Sequence, residues 1–339
     1  MITEQINPIR DIKYLRPQKE WRWVIAIYLY LAGMGAGAYI IGLIINRFGY
    51  HLTPLKAIAL FGFPLDLSKA VLLWGPIWVA MGAPFLILDL GRKERFLYAC
   101  LNPRTSWVAR GFIILSIFII VGLSVFVISI LPFQWLRERT TLWLVLETIS
   151  LIFAFATAIY TGILLKSVKY VPLWNTPLLP ILFLVSALST GSMGIILSTL
   201  GYGLFISLGE SSYQLINMLM STEQILILVE GFVLALYLFF THRTGDQGET
   251  SVRLLLSGQL KYLFWGGIVL LGFVFPIVLE YLYSNFPGYP ILLLATGLFL
   301  LFGGFFLRLG VLASGIKEQL PMHKLIEIQY NLRTLKKNV

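Results

Sequence analysis

The chain alternates between long apolar stretches and shorter polar segments. A helix that spans a bilayer needs about 20 mostly apolar residues. Backbone groups in lipid must find their hydrogen-bond partners within the segment, so apolar stretches of this length are helices. The pattern predicts an all-α integral membrane protein with eight transmembrane helices, at residues 23–46, 67–90, 108–131, 142–165, 177–199, 219–240, 261–283 and 290–313.

The composition agrees with this pattern. Hydrophobic residues make up 58% of the 339 residues and charged residues only 12%, whereas soluble domains have about a quarter charged. The first apolar stretch is too long for the core of a secretion signal and is predicted to remain as a helix. The runs are also too continuous for the short, alternating strands of a membrane barrel.

The basic residues predict the orientation of the helices. The net charge is +10, and most Lys and Arg residues fall in the terminal segments and the even-numbered loops, with Arg308 counted among them. The opposite side holds only Arg47, Lys56, Lys69, Arg137 and Arg139. Positively charged loops stay in the cytoplasm, which predicts a protein of the cytoplasmic membrane with both termini cytoplasmic. The surplus charge then indicates contact with anionic membrane lipids rather than with nucleic acid.

The sequence has few cysteine and histidine residues, the usual ligands of haem iron and iron–sulfur clusters, and no histidine lies within a predicted span. Cys100 is the only cysteine, whereas an iron–sulfur cluster takes about four thiolates. His51, His242 and His323 all lie outside the predicted spans, whereas an intramembrane haem needs axial ligands within them. The sequence therefore predicts that this protein holds no haem, no iron–sulfur cluster and no other metal.

A faint internal repeat suggests two similar halves. Small residues recur at close intervals in span one, YLYLAGMGAGAYIIGLI, and in span five, LFLVSALSTGSMGIILS. Such residues let helices approach closely, although they are also common in membrane helices generally. The predicted organisation is a cytoplasmic arm at 1–21, a four-helix bundle at 22–166, a second four-helix bundle at 167–313 and a cytoplasmic tail at 314–339.

Acidic residues inside the spans are the candidate functional groups. A carboxylate is costly in hydrocarbon unless it faces the bundle interior, a partner or water. Asp66 opens span two and Glu147 lies in the first turns of span four, both on the predicted outer side. Carboxyl groups in apolar pockets suit reversible proton transfer. Lys69 can pair with Asp66 on one helix face, so the alternative for Asp66 is a salt bridge at the membrane edge.

A second set of carboxylates lies in spans six and seven. Glu223 and Glu230 are separated by seven residues, which returns them to nearly the same face of a helix. Glu280 lies near the outer end of span seven, where it is alternatively an interfacial residue beside Tyr281 and Tyr283. The pattern predicts a proton route through Glu223, Glu230 and Glu280.

Four stretches of the sequence carry recognisable motifs: IAIYLYLAGMGAGAY at 25–39, LDLGRKERFLYACLNPRTSW at 88–107, the stretch from LETIS to LSTG at 146–191, and GGFFLRLGVLASG at 303–315. Together they resemble one family, the NrfD/PsrC-type membrane subunits of polysulfide, nitrite and related respiratory reductases. They occur in the order of the family and span nearly the whole chain.

The resemblance implies a haem-free, quinone-reactive subunit of two four-helix bundles. Its partners would be an iron–sulfur subunit of the four-cluster ferredoxin-like type and a catalytic subunit. The quinone, of the menaquinone or ubiquinone type, would bind in the first bundle. Tyr160 matches the family tyrosine of Y-T-G, but it lies roughly 20 Å along the helix from Glu147. One headgroup cannot touch both, and we prefer an outer site at Asp66, Lys69 and Glu147 to a deeper one near Tyr160.

The predicted function is two-electron, two-proton exchange with a quinone or quinol in the membrane, with Asp66 and Glu147 exchanging the protons. The protein itself would not hold the catalytic centre of the complex. The alternatives are a secondary transporter or proton channel, since internal repeats and intramembrane carboxylates also mark transporters, and a purely structural membrane anchor.

Overall fold

The computed structural model defines most of the membrane-embedded part of the chain. It describes residues 21, 23–47, 58–60, 63–65, 67–88, 103–104, 106–130, 140–203, 210–286 and 289–317. All structural statements below concern these residues.

The described part of the protein is almost entirely helical. Its helices are α1 (Trp23–Arg47), α2 (Leu67–Leu88), α3 (Trp107–Ile130), α4 (Thr140–Lys166), α5 (Leu178–Gly203), α6 (Glu210–His242), α7 (Asp246–Leu256), α8 (Leu263–Asn285) and α9 (Pro290–Ala313). Among these residues, seven helices are long and apolar enough to cross a membrane, and a shorter apolar segment, Leu72–Leu88, lies within α2. The prediction of a multi-pass, helical membrane protein is confirmed.

Two short strands interrupt the first predicted outer loop. They are β1 (Ile58–Leu60) and β2 (Phe63–Leu65), which pair antiparallel with Ile58 opposite Leu65. The strands were not predicted from the sequence, and β2 contains Pro64. Proline is tolerated in edge strands, where its missing N–H is not needed.

Helix α6 is longer than predicted. Its 33 residues begin at Glu210, nine positions before the predicted start of span six. Glu210 in the first turn favours this start, because an acidic side chain complements the positive end of the helix dipole. The helix also includes His242, which the sequence analysis placed outside the span, as its exposed last residue.

The polar segment between α6 and α8 contains a helix that was not predicted from the sequence. Helix α7 follows Gly245, whose φ of 98° is a conformation that favours glycine. Its buried residues, Gly248, Ser251, Val252 and Leu255, recur at helical spacing and place one face against α6 and α8. Because the other face of this short amphipathic helix is polar, it was not predicted from the sequence.

Helix α8 begins with widened, π-type turns over Leu263–Val274. The backbone N–H of Phe275 donates to the carbonyl of Leu270, five residues earlier. Pro276 follows directly and lacks an N–H of its own, so it cannot continue the ordinary ladder. Widened turns often accompany functional positions in helices, and Glu280 lies one turn beyond this proline.

Helices α1 and α5 form the centre of the molecule. Helix α1 contacts α2, α4, α5 and α9, and α5 contacts α1, α4, α6 and α9. The small-residue segments of the suspected repeat lie against each other at this contact. A Cβ atom at Gly37 would overlap the backbone of Ala187, and one at Gly191 would overlap the backbone of Gly37 and Ala38. The small residues are therefore needed because two backbones touch.

We expect Gly191→Ala to lower the free energy of unfolding by about 2 kcal/mol, because overpacking forces the two helices apart. Thermal unfolding of the purified protein in detergent measures this change. The matched control is Gly194→Ala in the same helix, where an added Cβ meets nothing within 4 Å, and where alanine favours the helix more than glycine does. Equal unfolding temperatures for the two variants would contradict the role of this contact.

Candidate functional site

A buried carboxyl group and an exposed guanidinium meet at one end of the first half. Arg47 is the last residue of α1, and Glu147 lies two turns into α4. Arg47 Nη1 is 3.8 Å from Glu147 Oε2, and the side chains are 55% and 8% exposed, respectively. The Glu147 carboxyl group therefore lies inside the bundle, and the guanidinium group that pairs with it lies at the surface. This arrangement leaves the carboxyl group accessible from the side of Arg47.

Other polar groups surround Glu147. The Tyr39 hydroxyl lies beside Ser150 and Glu147, and it has no hydrogen-bond partner among the described residues. The Tyr39 ring packs edge-on against Phe118, with 5.1 Å between the ring centres. Trp143 lies one turn before Glu147 and next to its carboxyl group. A ligand with carbonyl or hydroxyl oxygens would find donors and acceptors here.

The remaining residues of the predicted outer site are not described. Asp66 lies outside the described residues, and for Lys69 only the backbone, in the first turn of α2, is described. Their predicted position beside Glu147 therefore stays a prediction.

Tyr160 lies deeper in the same half and joins two helices. Its side chain is buried, and its hydroxyl donates to the carbonyl oxygen of Trp107 in α3 at 3.0 Å. The position of Gly111 leaves room for the tyrosine ring, which a Cβ atom there would overlap. Tyr28 of α1 lies next to Tyr160. A contact between Tyr160 and quinone stays a prediction.

Two acidic side chains of the predicted route lie side by side in the second half. Glu223 of α6 and Glu280 of α8 are neighbours and are both fully buried. Ser189 of α5 donates its hydroxyl to Glu223 Oε1 at 3.1 Å. Glu223 Oε2 and both oxygens of Glu280 have no hydrogen-bond partner among the described residues. Two buried carboxylates repel each other unless a proton or another cation lies between them.

Glu280 does not share the surface exposure of the residue that follows it. Its neighbour Tyr281 is 68% exposed, whereas Glu280 itself is fully buried. Gln224 lies beside Glu280, although its amide is not placed to make a well-aligned hydrogen bond.

A buried arginine lies near Glu230. Arg308 of α9 is fully buried, and its Nη1 donates to Ser186 Oγ at 3.0 Å and to the carbonyl oxygen of Gly304 at 2.9 Å. The guanidinium faces the ring of Tyr30 in α1 at 5.5 Å. The Glu230 side chain lies beside Ser186, and it is close enough to the Arg308 guanidinium for the two charges to attract each other. Opposite charges are thereby brought together between α1, α5, α6 and α9.

Counting Arg308 among the cytoplasmic surface charges was therefore wrong. It lies five residues before the end of α9 and points into the protein. The available signal was its position inside an apolar span, because an intramembrane arginine faces the interior or a polar partner. The Gly33 position explains how the side chain fits, since a Cβ there would lie 2.8 Å from Arg308 Nη2.

A small cavity lies beside Glu230. It has a volume of about 10 Å³ and is lined by Ser189, Thr190 and Glu230, together with glycines of α8 and α9. That volume is close to the minimum that holds one water molecule. Ser189 also donates its hydroxyl to Glu223, so this one serine contacts both the cavity and the Glu223–Glu280 pair.

A larger groove of about 480 Å³ lies between the two halves. Aliphatic and aromatic side chains line it, and the aromatic ones are Tyr30, Trp74, Trp78, Phe302 and Phe305. The groove is almost entirely apolar and suits a lipid tail better than a polar headgroup. In the part of the sequence that the structure describes, no three His, Cys, Asp or Glu side chains are grouped to hold a metal ion.

Comparison with known proteins establishes the family. The profile of the family described as "Polysulphide reductase, NrfD" matches residues 14–318. This chain belongs to the polysulphide reductase NrfD family. The resemblance predicted from the sequence is therefore confirmed, and the match includes both Glu147 and the buried acidic groups of this NrfD-type protein.

Individual relatives of the NrfD-type protein agree with this assignment. The C subunit of the polysulfide reductase of Wolinella succinogenes is 31% identical over 274 residues, which cover 77% of this sequence and 82% of the relative. Protein NrfD of Escherichia coli is 28% identical over 315 residues, covering 87% and 94% of the two sequences. The NrfD homolog of Haemophilus influenzae is 24% identical over 324 residues, covering 90% and 97%.

Proposed function

We propose that this protein is the quinone-reactive membrane subunit of a respiratory oxidoreductase complex. Its family supports this role, because one relative is named as a lettered component of a polysulfide reductase, and such a letter denotes one subunit of several. The partners would be an iron–sulfur subunit with four-cluster ferredoxin-like character and a catalytic subunit. The membrane subunit would exchange electrons with those partners without a haem or cluster of its own.

The observation that carries the proposal is the buried carboxyl group of Glu147 at the end of the first half. Oxidation of one quinol releases two electrons and two protons. Glu147 and Asp66 would each accept one proton, and the electrons would pass singly to the nearest cluster of the iron–sulfur partner. Tyr39 and Ser150 would orient the headgroup through hydrogen bonds, and Lys69 would stabilise the charge of Asp66. The quinone would be of the menaquinone or ubiquinone type.

The proposed arrangement has eight spans in two four-helix bundles. Helix α2 would be the eighth span, since its 22 residues are apolar and are long enough to cross the hydrocarbon core. The first bundle, 22–166, would contain the quinone site, and the second, 167–313, a proton route. Contacts of α1 with α2, of α2 with α3 and of α3 with α4 in the first half, and of α5 with α6 and α8 with α9 in the second, support this division, and α1 and α5 join the two halves. Both termini would lie in the cytoplasm.

The proposed proton route uses the buried groups of the second half. Glu223 and Glu280 would accept a proton on one side of the water-sized cavity, and Glu230 on the other. Arg308 would stabilise the ionised form of Glu230. Protons moved along this route would couple electron transfer to energy conservation.

Purification of the protein from its native membrane tests the proposed function. We expect it to copurify with a protein rich in four-cysteine motifs, to bring iron with that partner, and to oxidise a quinol analogue in the assembled state. A preparation without an iron-containing partner that moves solute in liposomes would instead support a transporter. An iron-containing assembly that never reacts with any quinol or quinone would leave a structural anchor as the explanation.

A further inference from the structure

The exposed face of α6 changes from polar to apolar part-way along the helix. We call four of its exposed polar residues the α6 polar stripe: Gln214, Asn217, Ser221 and Gln224. They recur at intervals of three and four residues, so they lie in one row. The exposed residues that continue the row are apolar: Ile225, Leu228 and Phe232. The row is therefore polar toward the start of the helix and apolar toward its end.

The length of α6 explains where this change occurs. Its 33 residues span about 50 Å at ~1.5 Å per residue, whereas the hydrocarbon core is about 30 Å thick. Counted back from His242, about 20 residues of hydrocarbon end near Glu223. The polar stripe thus lies at and beyond the hydrocarbon boundary on the side where α6 begins, which the charge pattern predicts to be the outer side.

The inner end of the stripe meets the buried acidic pair. Gln224 is exposed, yet its side chain lies beside Glu280, and Glu223 precedes it in the sequence. Both glutamates are fully buried, and three of their four carboxyl oxygens have no hydrogen-bond partner among the described residues. Buried polar atoms without partners indicate a bound proton, water or ion. Gln224 therefore belongs to the exposed row and also lies beside one of these carboxyl groups.

We propose that the α6 polar stripe is the mouth of a water-accessible path through which protons reach the Glu223–Glu280 pair from the side where α6 begins, with Gln224 as its innermost surface residue. The inference rests on the proposed function in treating this pair as a proton-exchanging group. Neutral amides and hydroxyls suit such a path, because they donate and accept hydrogen bonds without fixing a charge. Ile225 and Leu228 close it toward the membrane centre.

Chemical modification of the carboxyl groups tests the path directly. The assembled complex in sealed vesicles is treated, from the side of the α6 start, with a water-soluble carbodiimide and an amine, and the peptides are identified by mass spectrometry. We expect modification of Glu223 or Glu280, with the exposed Glu210 as an internal reference and Glu230 unmodified. Gln224→Leu should reduce modification of the pair several-fold, whereas Gln214→Leu, the same change ten residues away, should not.

Two results would overturn the proposal. One is a pair that stays unmodified while Glu210 reacts, and the other is equal modification of the pair in Gln224→Leu and the unaltered protein. Neither result requires quinone or electron transfer, so a failure of the path can be distinguished from a failure of the proposed quinone reaction.

Thiol labelling tests for water along the stripe itself. In a Cys100→Ser background, Ser221→Cys should react with a charged, membrane-impermeant maleimide, because the reactive thiolate needs water. Leu228→Cys, two turns further along the same exposed row, should not react. Protection of both positions in the assembled complex would mean that lipid or a partner covers the stripe, and the proposal would be wrong.

Discussion

Glu147→Gln is expected to lower quinol-linked electron transfer by at least about a hundredfold, the usual loss when a general acid or base is removed. Glutamine keeps the shape of the side chain but cannot accept a proton from the headgroup. The fold should tolerate the change, because the Arg47 side chain that loses its partner is 55% exposed and keeps its solvation. Quinol oxidation by the purified complex, with the amounts of all subunits compared on gels, measures the effect.

The matched control is Glu249→Gln in α7. This residue also pairs with an arginine, Arg253, but on the surface and at the other end of the molecule. It should leave quinol oxidation unchanged. The double variant Asp66→Asn with Glu147→Gln should assemble normally but fail to oxidise quinol. Full activity in that variant would contradict a quinone site in the first half.

Arg308→Met is expected to destabilise the protein by about 3 kcal/mol or more, as is usual when one member of a buried charged group is removed. The change deletes hydrogen bonds to Ser186 and Gly304 and the contact with Tyr30. It also removes the positive charge that acts on Glu230. Arg308→Lys should recover only part of the loss, because lysine lacks the planar fork that reaches several acceptors. Thermal unfolding of the assembled complex measures both variants.

A double variant separates the charge from the hydrogen bonds. Glu230→Gln should partly restore the stability of Arg308→Met, because no uncompensated charge then remains buried. Arg253→Met serves as the control, since this exposed arginine forms a surface ion pair worth at most about 1 kcal/mol. If Glu230→Gln did not improve Arg308→Met at all, the two groups would not be electrostatically linked.

The apolar spans were predictable because a bilayer imposes a simple length rule. Seven helices and the apolar part of α2 lie where the apolar stretches predicted them, within a few residues at most ends. The prediction was poorest where that rule does not apply. The first turns of α6 contain mostly polar residues, and α7 lies in a polar loop, so neither has an apolar stretch long enough to be noticed.

The individual residues of the candidate site were predictable, but which of them lie next to each other was not. Each buried glutamate stood out because a carboxyl group is costly in hydrocarbon. The distance from Glu223 to Glu280, however, depends on how α6 packs near α8, and the sequence contains no rule for that contact. Arg308 was missed for a related reason, because its place near the end of a span suggests a surface cation unless its neighbours are known.

The sequence by itself determined that the protein is a helical membrane protein of this family. Long apolar stretches and several motifs in a fixed order depend only on the order of residues along the chain. Only the tertiary structure decided which polar groups meet. Glu147 pairs with a residue 100 positions away, Ser189 reaches Glu223, and Arg308 enters the space left by Gly33. These contacts arise from helix crossings at small residues, where the approach of two backbones, and not local sequence preference, fixes the neighbours of each side chain.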